Sequence, residues 1–244
     1  MRDFPAGRLA VWATAWLTGR TSYDEALDAI SADTAHRVTG LPGTDGAVPL
    51  GTALSALRGL GESRFRLVLP VPGDVRGLPA VPGLAALALE SGQAAVGERL
   101  ALVPEPLGSE VVQWTAFPLD GVAPVAPPVE GSLRRLSGEL DLAVGDAART
   151  LAGLDVARWN PEVPALLAGL SKATAPGLPH DHEPLALSLL GRAQRLAAVL
   201  DLATADAPGG AVNHAQAAAR DSALRPLADA VREATAAAYN WVPR

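Results

Sequence analysis

Apolar residues recur every three or four positions from about Pro5 to Thr18. Leu9, Trp12, Ala13, Trp16 and Leu17 share one face of a predicted helix, and Gly19 follows as a helix end. Ser22-Tyr23-Asp24-Glu25 has the spacing of a capping box, which opens a short second helix with Ala26, Leu27 and Ile30 on its buried side. The stretch from Ser31 to Ala47 is polar and glycine-rich and reads as a loop. Pro49 then suits the first turn of a third helix, whose apolar face is Leu50, Leu54, Leu57 and Leu60.

The period changes after that helix. Phe65, Leu67, Leu69 and Val71 alternate with Arg64, Arg66, Val68 and Pro70, the two-residue repeat of a strand. Residues 83–103 read as two or three short strands around turns at Ser91-Gly92 and Gly97-Glu98. Glu110 to Phe117 is a further strand, rich in β-branched and aromatic residues. Helices followed by mostly adjacent strands predict an α+β region with a small, mainly antiparallel sheet over residues 1–117.

Residues 118–130 (PLDGVAPVAPPVE) carry four prolines, which continue neither a helix nor a central strand, and so mark a linker. From 131 to 244 the pattern is helical. Leu133, Leu136, Leu140, Val144, Ala147, Leu151 and Leu154 form one stripe, and Asn160-Pro161 opens a short helix. A third helix runs from Pro184 to about Ala205, and a last one from Asn213 or His214 to about Asn240. Four helices with short connections predict a C-terminal antiparallel α-helical bundle.

Composition narrows the chemistry. The 244 residues include no cysteine, which removes thiolate metal sites, iron–sulfur clusters and cysteine nucleophiles. Lys172 is the one lysine among 20 basic residues, so a P-loop and most Schiff-base chemistry have no residue to use. The preference for Arg, Ala, Gly and Pro is what a GC-rich genome imposes and points to an actinobacterial source, a resemblance of composition that transfers no site. A formal charge of −6 argues against a sequence-independent hold on nucleic acid. The apolar stretch Leu9–Gly19 is too short to span a bilayer and has acidic Asp3 ahead of it. It is expected to be the first helix of a cytoplasmic protein, with no membrane contact, rather than a signal segment.

Two constellations are candidates for chemistry. Arg64, Arg66 and Arg76, with Asp74 in the Gly/Pro-rich loop after the first strand, could grip a small anionic ligand, with Asp74 as a base. In an extended segment His180 and His182 would point the same way, as two metal ligands of a hydrolase need, with a third ligand supplied by folding. Each has a structural alternative: the arginines as the solvated side of a strand, and His180-Asp181-His182-Glu183 as a polar loop capping the helix at Pro184. There is no G-x-S-x-G, H-E-x-x-H or EF-hand pattern, and no motif demands a cofactor. The sequence therefore leads to a non-enzymatic interaction or accessory protein. Its expected partner is another protein or a second copy, held through helices.

Overall fold

The computed structural model describes residues 4–126, 132–153, 177–205 and 214–242. They form an α+β protein with seven helices and one mixed six-stranded sheet among the described residues. The chain divides into two compact units. One holds the described residues between Phe4 and Glu130 together with Gly177–His182 and Val242; the other holds those of 131–176 and 183–241.

In the first unit, α1 (Pro5–Leu17) is buried along almost its whole length, Arg8 being the partial exception before Leu17. Proline stands at its start, where a missing N–H costs nothing. Phe4 gives no side-chain cap; instead the amide of Ala6 donates to Gln93 Oε1 at 3.0 Å, an acceptor supplied from 87 residues away. Helix α2 (Tyr23–Ser31) begins as its capping box predicts, with Ser22 Oγ accepting from the Glu25 amide at 3.1 Å. The Glu25 carboxylate accepts from the Thr21 hydroxyl.

Strand β1 (Ala35–Thr39) lies inside the stretch expected as a loop. Only Val38 carries an apolar side chain of strand type there, so the alternation is hidden: the second buried residue is His36. Strand β2 is Val48–Pro49, and α3 is Leu50–Gly59, with Pro49 one position ahead of the helix as its N-cap. The first expected strand shortens to β3, Arg66–Val68.

The larger departure is α4 (Leu84–Ser91), where the sequence suggested strand. Its first six residues are Ala and Leu, with strong helix propensity, and glycines in the left-handed region bracket it: Gly83 (φ 81°) and Gly92 (φ 71°). A run that is apolar throughout has no period to read, so propensity decides. Strands β4 (Ala94–Val96), β5 (Leu100–Leu107) and β6 (Val111–Pro118) complete the sheet, in the order β2-β1-β6-β5-β4-β3. Four of its pairings are antiparallel, and β1 with β6 is parallel.

The register assigns every side chain to a face. One face carries Leu67, Ala95, Leu100, Leu102, Trp114 and Val38, all buried, and α1 packs against its β3–β4–β5 end. The other face carries Val68, Ala94, Val96, Ala101 and Val103, which join Leu84 and Ala88 of α4 and Leu78 and Leu119 in one core. The central strands are thus covered on both sides, which is why Leu100–Val103 read as a continuous apolar run.

The proline-rich stretch begins as part of this unit. Leu119 donates its amide to the Arg99 carbonyl at 2.8 Å, and Val122 packs on the α4 core. In the second unit, α5 (Leu133–Gly153) and α6 (Pro184–Ala205) both pack on α7 (His214–Asn240). Leu136, Leu140, Leu189, Leu190, Leu227 and Val231 are buried there, and Arg192 of α6 reaches Asp141 of α5. The helix expected at Asn160-Pro161, with Trp159 and Lys172, lies outside the described residues.

Candidate functional site

The arginine cluster is held locally. Arg76 lies against Asp74 in a two-pronged pair, Nε to Oδ1 at 2.9 Å and Nη2 to Oδ2 at 2.8 Å; its amide also donates to Oδ1. Backbone bonds between Val71 and Asp74 close the tight turn that carries Asp74. The half-buried Arg66 donates from Nη1 to the Val125 carbonyl at 3.0 Å, pinning the proline-rich stretch beside β3. Burial lowers the pKa of its guanidinium from the ordinary value, the neighbouring Arg64 lowers it further, and Glu98 opposes both. The Asp74 carboxylate, in turn, serves the guanidinium of Arg76.

The histidine segment is docked as a strap on α1. Trp12 donates its indole N–H to the Gly177 carbonyl at 2.9 Å, and Arg20 donates through Nη1 to both oxygens of Asp181, at 3.1 and 2.9 Å. Between them the amide of His182 closes a turn onto the Pro179 carbonyl. This turn separates the two imidazoles: His180 is exposed and His182 is buried. Among the described residues no three His, Asp or Glu side chains stand together in a way that could hold a metal ion.

Trp16, one turn beyond Trp12, packs edge-on to Tyr23 with ring centroids 5.6 Å apart, and the Arg58 guanidinium lies 4.0 Å from its ring centroid. Arg58 also donates to the Trp16 carbonyl at 3.2 Å. A guanidinium stacked this way contributes about 0.5–1 kcal/mol at an exposed site.

Two buried polar arrangements have no counterpart in the sequence reading. The Glu62 carboxylate accepts from three successive amides of the β4–β5 turn: Glu98 (2.7 Å), Arg99 (2.9 Å) and Leu100 (3.2 Å). A Cβ at position 97 would collide with that carboxylate, so glycine is required there by close approach. The second is a directed chain. Trp114 Nε1–H donates to His36 Nδ1 at 3.0 Å, His36 Nε2 is 2.8 Å from Thr34 Oγ1, and Thr34 donates to the Ser31 carbonyl at 2.6 Å. An indole only donates, so Nδ1 accepts and the His36 proton resides on Nε2. Both arrangements join segments distant in sequence, and no local pattern marks them.

Two exposed surfaces remain. On the helical unit, Leu142 of α5 is 70% exposed and Leu187 of α6 also stands out from the core. On the sheet, no described element of the first unit covers the α4-side face beyond Thr115, where β5, β6 and β1 present Glu105, Gln113 and Arg37 side by side.

Two family models cover nearly the whole chain. Residues 6–131 match the N-terminal domain of the Rv1486c-like proteins, and residues 134–236 match their C-terminal domain. The chain belongs to the Rv1486c-like family. It is 33% identical to the "Uncharacterized protein Rv1486c" of Mycobacterium tuberculosis, over 98% of this chain and 96% of that one. It is 28% identical to "Uncharacterized protein ML1804" of Mycobacterium leprae, covering 98% of this chain and 97% of the relative. These relatives are mycobacterial, in keeping with the actinobacterial composition. No solved structure matches the chain. No described helix is long and apolar enough to cross a membrane.

Proposed function

We propose that this Rv1486c-like chain is a non-enzymatic accessory protein of the cytoplasm that works through protein contact, as a homodimer held by its helical unit. In this reading the second unit is an antiparallel bundle whose outer apolar positions complete a second copy's surface. One observation carries it. Leu142 leaves most of its side chain in water on α5, on a unit where Leu136, Leu140, Leu189, Leu190, Leu227 and Val231 are buried, and Leu187 is partly exposed on α6. Covering one such leucine stabilises a contact by about 1.5–3 kcal/mol. Light scattering on the wild type and on Leu142→Glu tests this: the substitution should leave folding intact and abolish the dimer. Retention of the dimer would remove the helical surface from the proposal.

A second reading, a small-anion site, is favoured by the spacing of Arg64 and Arg66, two residues apart at the start of β3, since an anion bridging two guanidinium groups would relieve their repulsion. Titration with inorganic phosphate at millimolar concentration should then give heat that Arg64→Ala abolishes. No heat from the wild type would end that reading. The metal reading, through His180 and His182, is not carried forward.

A further inference from the structure

We propose that the open face of the sheet is a contact between two copies of this chain, related by a two-fold axis lying along β6. This surface is separate from the helical one, and the inference does not depend on the preceding reading.

The register of the strands lays the face out in rows. Glu105 of β5, Gln113 of β6 and Arg37 of β1 stand opposite one another in one row; Leu107, Val111 and Ala35 form the next outward. Thr115 and Thr39 close the patch on the inner side, where α4 takes over the cover of the sheet through Ala101, Val103 and Phe117. Arg37 and Glu105 are exposed, and neither holds an ion pair among the described residues. The Gln113 amide is steadied by bonds to Thr39 Oγ1 and the Trp114 carbonyl, both at 3.2 Å. Leu107 is 51% exposed at the rim.

The order of these side chains is self-complementary in one way. A half-turn about β6 exchanges the β1 and β5 sides and keeps every row in place. Arg37 then faces the partner's Glu105, and Glu105 faces the partner's Arg37. In the outer row Leu107 meets the partner's Ala35, while Val111 meets its own copy on the axis. The polar row therefore pairs opposite charges and the outer row pairs apolar groups. A half-turn about the row itself would set Glu105 on Glu105 and Arg37 on Arg37, so the charges select the first arrangement. The strands of the two copies then run alongside one another, the aligned mode of sheet packing. Because α4 packs on β5, the axis carries the two α4 helices to opposite flanks.

The patch is three strands wide and two to three rows deep, less than the roughly 800 Å² per partner of a standard stable interface. The contact is therefore weak and concentration-dependent, and it fades in high salt because its charges lie near water.

Sedimentation equilibrium of the full chain from about 5 to 500 μM tests the proposal, comparing wild type with Arg37→Glu, Glu105→Arg and the double exchange. Each single reversal puts like charges opposite one another and should shift the association to roughly tenfold higher concentration; the double exchange should return it to the wild-type range. The three variants alter only exposed charges, so circular dichroism and melting serve as a folding control. Single reversals without effect, or a double exchange that fails to restore association, would overturn the proposal and leave the face to solvent or to a partner of another kind. Loss of the helical contact in Leu142→Glu would not alter this comparison.

Discussion

Glu62 is the side chain that ties down the β4–β5 turn. Its carboxylate occupies a space left by Gly97 and receives three amides that have no strand partner at that turn. Glu62→Gln keeps the shape but sets an amide NH₂ against one of those donors, so the unfolding free energy in urea should fall by about 1–3 kcal/mol. A change within error would mean that water replaces the carboxylate readily. The His36 chain makes a sharper statement, because donors and acceptors must alternate along it. Nitrogen NMR of the folded protein should find the His36 proton on Nε2; a proton on Nδ1 would contradict the direction of the chain. Neither Glu62 nor His36 was legible beforehand. Each looks like an ordinary polar residue in a loop, and its role comes from partners 36 to 78 residues away.

Elements with a clear period were read well: α1, α2 and the three described helices beyond residue 131 begin and end close to where spacing, caps and prolines place them. Those without one were not. At α4 an unbroken Ala/Leu run gives helix and strand the same apolar signature, and β1 hides half of its buried side in a histidine. Parallel pairing of β1 with β6 also needs a long crossover, which no turn motif announces. The candidate sites fared similarly: Arg76 with Asp74 was visible as a neighbouring pair, whereas the docking of residues 177–182 on α1 was not. Two expectations belong to this scale. Gln93→Ala should cost about 1 kcal/mol, because the start of α1 loses the acceptor that stands in for a cap. Asp181→Asn should change global stability by less than about 1 kcal/mol, since the Arg20–Asp181 pair is partly exposed. It should nevertheless speed hydrogen exchange of the His182 amide, and about 1 M salt should do the same to the wild type. An unchanged exchange rate would show that the Arg20–Asp181 pair does not hold the strap.

At the scale of the whole molecule, the α+β class follows from helices and strands that could each be read locally, while the sheet order follows from contacts that could not. The absence of cysteine and the single lysine still limit the chemistry more than any cluster adds to it. Leu142 on the helical unit and the Arg37–Glu105 row on the sheet are surfaces rather than sites, and they are where an accessory protein would act. Because Leu142 is largely in water, Leu142→Glu should alter the unfolding free energy of the single chain by no more than about 0.5 kcal/mol; any further loss should be the concentration-dependent part that the dimer contributes, which separates a change of assembly state from loss of fold. The most direct measurement is the mass of the full chain by light scattering at about 10 μM, a concentration at which a patch as small as the sheet face contributes little. The account predicts twice the 24.9 kDa of one chain for the wild type and a single chain for Leu142→Glu. A wild-type mass of one chain at that concentration would contradict it.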